Sequence, residues 1–82
     1  MKSKSEINEL SGVQCRMART ALNLGIRELA AMAMVAPQTI SRFERGDELK
    51  PRTVIAIRAA LEQAGARFFV NSEGEDSVSI KR

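Results

Sequence analysis

Residues 26–45 read IRELAAMAMVAPQTISRFER, and this stretch decides the fold. Two short helices that cross steeply through a tight turn need apolar residues at fixed offsets, plus a small residue where one helix crosses the other. Leu29, Ala33, Val35, Ile40 and Phe43 fill the apolar positions, and Ala30 is the small residue. A chain that is 44% hydrophobic would rarely place all of these within so short a segment. Leu29, Ala30 and Ala33 fall on one side of a helix over 26–33. Ala36-Pro37 then opens a second helix, because proline's fixed φ suits the first helical position. That helix is predicted over 37–45, with Ile40 and Phe43 inward and Gly46 as its left-handed stop.

The flanks complete an α-helical body. Ser11-Gly12-Val13-Gln14 is a capping box, in which Ser11 accepts from the Gln14 amide and the Gln14 side chain reaches back. Leu10 and Cys15 stand where a hydrophobic staple would hold them, which gives Cys15 a structural task. A first helix is predicted over 12–22, with Val13, Met17, Ala21 and Leu24 as its inner stripe, Ala18 and Leu22 beside it, and Asn23 and Gly25 at its end. After the polar loop 46–50, Pro51 and Thr53 open a fourth helix, Val54, Ile57 and Leu61 line it, and Gly65 closes it. Residues 66–70 read as a strand, 71–75 as a turn and 77–81 as a second strand, where Val78 and Ile80 alternate with polar residues. The fold class is therefore mainly α: a four-helix domain over 10–65 and a C-terminal β-hairpin over 66–82, preceded by a flexible arm over 1–9.

Composition narrows the chemistry. The chain has 82 residues and a net charge of +3. It contains no His, which excludes imidazole catalysis and His-ligated metals, and one Cys, which cannot form an internal disulfide or a thiolate zinc cluster. A reducing, cytoplasmic setting fits that cysteine usage. The longest apolar run, 29–36, is far short of the roughly 20 residues of a membrane span. The first ten residues lack the apolar core of a signal peptide. With no phosphate-cradling glycine loop and no converging carboxylates, no catalytic constellation, cofactor site or metal site is expected. The positive charge is concentrated in residues 16–58, which hold eight cations against four acids, and seven of the eight are Arg. Arg pairs bidentately with phosphate and guanine better than Lys does, so this excess fits a nucleic-acid footprint as well as it fits an ordinary solvated basic face.

These features together form a helix-turn-helix pattern, and the chain resembles a known family at this point. Residues 10–70 look like the lambda-repressor-like, Cro and xenobiotic-response-element type of regulator. The likeness rests on Gln14, Arg16, Ala18, Arg19 and Leu22, on Glu28-Leu29-Ala30, and above all on Thr39-Ile40-Ser41-Arg42-Phe43-Glu44-Arg45-Gly46. Ala60-Leu61-Glu62, then Ala64-Gly65 and a Phe-Phe-Val strand, resemble a bacterial subgroup with a short C-terminal β segment. Three positions depart from the family pattern. Gly25 stands at a cap that is usually Ser or Thr, Ile26 replaces a phosphate-touching Gln, and Met34 occupies a turn position that is usually Gly with positive φ. A side chain in that left-handed position costs roughly 1–2 kcal/mol or forces another turn.

With the third helix in a major groove, inward Ile40 and Phe43 leave Pro37, Gln38, Ser41 and Arg42 facing the bases. Gln38 suits adenine, Arg42 suits guanine O6 and N7, Pro37 could meet a thymine methyl, and Ser41 could reach a base or a phosphate. The resemblance implies that Thr39 and Arg45 lie near the DNA backbone and that the loop carrying Lys50 and Arg52 runs along phosphates. Arg27, near the start of the second helix, is a further backbone candidate. The resemblance also implies a partly buried ion pair between Arg19 and Glu44 that locks the recognition helix. Phe68, Phe69, Val70, Val78 and Ile80 are a heavy apolar load for a lone hairpin, which makes it the expected interface of a homodimer on double-stranded DNA, the alternative being a monomer with the hairpin folded onto its own core. The leading expectation is a cytoplasmic, nucleoid-associated DNA-binding regulator. The alternative is an antitoxin-type module whose main partner is a protein.

Overall fold

In the computed structural model, which describes residues 10–81, four helices are followed by a two-stranded antiparallel sheet. They are α1 (Gly12–Ala21), α2 (Ile26–Ala33), α3 (Pro37–Glu44), α4 (Pro51–Gln63), β1 (Ala66–Val70) and β2 (Asp76–Ile80). The arm expected over 1–9 lies outside the described residues. The predicted boundaries differ from these by a single residue where they differ at all.

Local chemistry starts and stops the helices. The Ser11 hydroxyl accepts from the Gln14 amide at 3.0 Å, and the Gln14 Oε1 accepts from the Ser11 amide at 3.1 Å. Pro37 and Pro51 stand in the first positions of α3 and α4. Three of the helices end in the same capping turn, with one left-handed residue and two amides turned back onto helix carbonyls. Asn23 holds the left-handed position after α1 at φ 62°, Met34 after α2 at φ 61°, and Gly46 after α3 at φ 104°. Leu24, Val35 and Asp47 then donate to the carbonyls of Arg19, Ala30 and Arg42 at 2.9, 2.9 and 3.0 Å. Met34 thus keeps the backbone that glycine would adopt, with its side chain 89% exposed.

The core gathers Leu29, Ile40, Ile57, Leu61 and Cys15, all fully buried. Its α1 face corrects the expected stripe. Val13 is 61% exposed, Met17 and Ala21 also face outward, and the buried residues of α1 are Gln14, Cys15 and Ala18. Close helix approach selected small side chains over large ones. At Gly12 a Cβ would overlap the Phe43 carbonyl oxygen and stand 3.1 Å from the Glu44 Cα. The first turn of α1 therefore lies against the last turn of α3, backbone to backbone.

The hairpin pairs Ala66 with Ile80, Phe68 with Val78 and Val70 with Asp76. It packs on two helices, β2 on α1 and β1 on α4. Phe68, Val78 and Ile80 are half-buried against the core, and the Arg58 guanidinium lies 5.5 Å from the Phe68 ring centroid. Gln14 fastens the sheet: its Nε2 donates to the Ser77 carbonyl at 3.0 Å and to the Phe69 carbonyl at 3.4 Å.

Candidate nucleic-acid interface

α3 is amphipathic by position. Ile40 and Phe43 anchor it in the core, while Pro37, Gln38, Arg42 and Arg45 are exposed and Ser41 is half-buried. Residues three and four apart stack on one helix face, so Gln38, Ser41, Arg42 and Arg45 form one strip along the outside of the helix. Thr39 lies to one side. With Arg42 it lines a shallow hollow between α3 and the start of α4, completed by Val35, Ala36, Glu48, Leu49, Lys50 and Thr53. The structure thus brings Thr39, Arg42 and Lys50 to one place. Arg52 is exposed on the first turn of α4 and Arg27 on the first turn of α2. Among the described residues none of Arg27, Arg45, Lys50 and Arg52 is held in an ion pair.

Arg19 and Glu44 hold the strip from behind. Arg19 Nε donates to Glu44 Oε2 at 2.8 Å and Nη2 to Oε1 at 2.9 Å, a two-pronged pair whose side chains are 16% and 7% exposed. The third guanidinium nitrogen, Nη1, donates to the Leu24 carbonyl at 3.1 Å, so one side chain ties α1, the α1–α2 turn and α3 together. Hydrogen bonding to Glu44 keeps the guanidinium protonated beyond its ordinary range. The Cys15 thiol donates to the same Oε2 at 3.4 Å. Burial, and then the Glu44 charge, push its pKa far up, so it stays a neutral thiol.

Two residues escaped sequence reasoning, Asp47 at this site and Gln14 at the hairpin. The expected role of Gln14 ended at the capping box, and its strand partners lie 55 and 63 residues away, beyond any local pattern. Asp47 passed as a polar loop residue, yet its Oδ2 accepts from Arg42 Nε at 3.2 Å. The left-handed Gly46 signals only the return of the Asp47 amide to the Arg42 carbonyl, five positions earlier, and not the side-chain pairing. Of the family departures, Gly25 has no side chain to cap with, but its amide donates to Glu28 Oε1 at 2.7 Å. Ile26 packs against the core in place of a polar contact.

Among the described residues no cluster of three or more His, Cys, Asp or Glu could hold a metal ion, and no helix is long and apolar enough to cross a membrane. No curated protein matches the sequence. The helix-turn-helix family model, HTH_3, matches residues 16–63, which is more than half of the chain and runs from α1 through α4. An exposed polar strip on α3, α2 packed beneath it and this match lead to one conclusion: the chain belongs to the helix-turn-helix family of lambda-repressor-like, DNA-binding transcription regulators.

Proposed function

We propose that this regulator reads a specific sequence by inserting α3 into the major groove, and that two copies act together on an inverted repeat to control transcription. The observation that carries the reading is the α3 strip, where Gln38, Ser41 and Arg42 face outward on a helix fixed by Ile40, Phe43 and Glu44. Gln38 would pair with adenine and Arg42 with guanine, Pro37 would meet a thymine methyl, and Ser41 would reach a base or a phosphate. Arg27, Thr39, Arg45, Lys50 and Arg52 would bind phosphates and set the register without selecting sequence.

The test begins with the duplex that the wild-type protein selects from a random pool at fixed salt. Arg42→Ala should weaken binding to that duplex by roughly 10- to 100-fold and binding to scrambled DNA far less. Equal affinity of wild type and variant for the selected duplex would remove the reading. Phe69 and Val70, exposed on the hairpin, support a second reading, the antitoxin-type module that docks a protein there and binds DNA secondarily. That reading expects operator affinity indifferent to Arg42→Ala.

A further inference from the structure

Arg42, the residue best suited to guanine, is restrained before any DNA arrives. Its Nε donates to Asp47 Oδ2 at 3.2 Å, while Nη1 and Nη2 donate no hydrogen bond among the described residues. The carboxylate is placed by the backbone. Gly46, at φ 104°, turns the chain so that its own amide donates to the Phe43 carbonyl at 3.0 Å and the Asp47 amide donates to the Arg42 carbonyl at 3.0 Å. Main chain and side chain of Asp47 therefore both engage Arg42, and the capping turn of α3 sets the geometry of their pairing.

We propose that Asp47 is a positioning residue for base readout: it occupies Nε and leaves the Nη1–Nη2 edge of Arg42 free to meet guanine O6 and N7. The proposal rests on α3 being the recognition helix. Two physical effects follow from it. A guanidinium already confined on one edge loses less freedom when it docks, which favours the guanine contact. The carboxylate also penalises every other register, because beside a phosphate, or against a base that offers Arg42 no acceptors, it adds repulsion with nothing to offset it. The pair is half exposed and therefore weak in water, and it strengthens when docking removes that water. Asp47 should thus raise discrimination more than affinity.

The experiment titrates wild type, Asp47→Ala, Asp47→Asn and Arg42→Ala against the selected duplex, against the same duplex with each guanine replaced, and against scrambled DNA, all at one salt concentration. Thermal melts verify that each variant is folded. Asp47→Ala should lower the ratio of selected to guanine-replaced affinity by roughly tenfold at one guanine, with scrambled DNA bound as tightly as by wild type or tighter. Asp47→Asn keeps an acceptor for Nε and loses the charge, so it should retain most of the guanine discrimination while scrambled DNA binds more tightly. An unchanged ratio in Asp47→Ala overturns the proposal. So does a selected duplex bound more tightly by Asp47→Ala with its guanine preference intact, because Asp47 would then only hold Arg42 away from DNA. If Arg42→Ala leaves discrimination unaltered, the reading of α3 itself falls. That result differs from one in which Arg42 matters and Asp47 does not.

Discussion

Met34 shows how much a single residue can give up to keep a turn. It holds φ 61° and ψ 44° where glycine would be at ease, and its exposed side chain gains little from burial. Left-handed backbone costs an L-residue roughly 1–2 kcal/mol, of which the greater freedom of glycine in the unfolded chain takes back a part. Met34→Gly should therefore stabilise the domain by about 1 kcal/mol, seen as a rise of roughly 4–8 °C in the thermal midpoint. A midpoint at or below wild type would show that the Met side chain contributes contacts that offset its strain. The conflict was legible through the family resemblance, which marks position 34 as a turn residue that is usually Gly. The Arg42–Asp47 pair was not, because it depends on a side-chain rotamer that no spacing rule prescribes.

At the level of elements, one side-chain amide adds a polar tie between the hairpin and α1 to the apolar packing that seats it. Gln14 Oε1 accepts from the Ser11 amide, while Nε2 donates to the carbonyls of Ser77 and Phe69. Gln14→Glu keeps an acceptor for the cap, removes both donors and places charge against two carbonyl oxygens. It should destabilise the protein by roughly 2 kcal/mol, with amide exchange accelerating in β1 and β2 more than in α2 and α3. Uniform acceleration across all elements would assign Gln14 to the core and not to the hairpin. The existence and limits of every element were legible, because caps, prolines and left-handed stops are local. The buried face of α1 was not. Hydropathy favours Val13 and Met17, whereas close contact with α3 favours Gly12, Cys15 and Ala18, and which criterion wins depends on a helix that begins some 20 residues later.

At the scale of the molecule, the described residues span 32 × 30 × 20 Å. Under the proposed reading one chain, with one α3, would read one groove, and the proposed half-sites a helical turn apart, about 34 Å, would call for two copies. The hairpin offers the means: Phe68, Val78 and Ile80 are turned toward their own helices, which leaves Phe69 at 46% and Val70 at 62% exposure beside unpaired strand edges. Sedimentation equilibrium at tens of micromolar should return twice the 9.0 kDa chain mass, and Phe69→Glu should return the chain mass itself. A wild-type mass of 9.0 kDa with and without DNA would remove the dimer from the reading.

The seam between Gly12 and the Phe43 carbonyl lies at the last turn of α3. A single methyl group there would wedge the two backbones apart and tilt α3 while leaving every outward-facing residue chemically intact. The tilt of α3 is thus set by a hydrogen atom at position 12, and evolutionary or engineered retuning of its angle has a handle there that is separate from the outward-facing residues proposed to read bases.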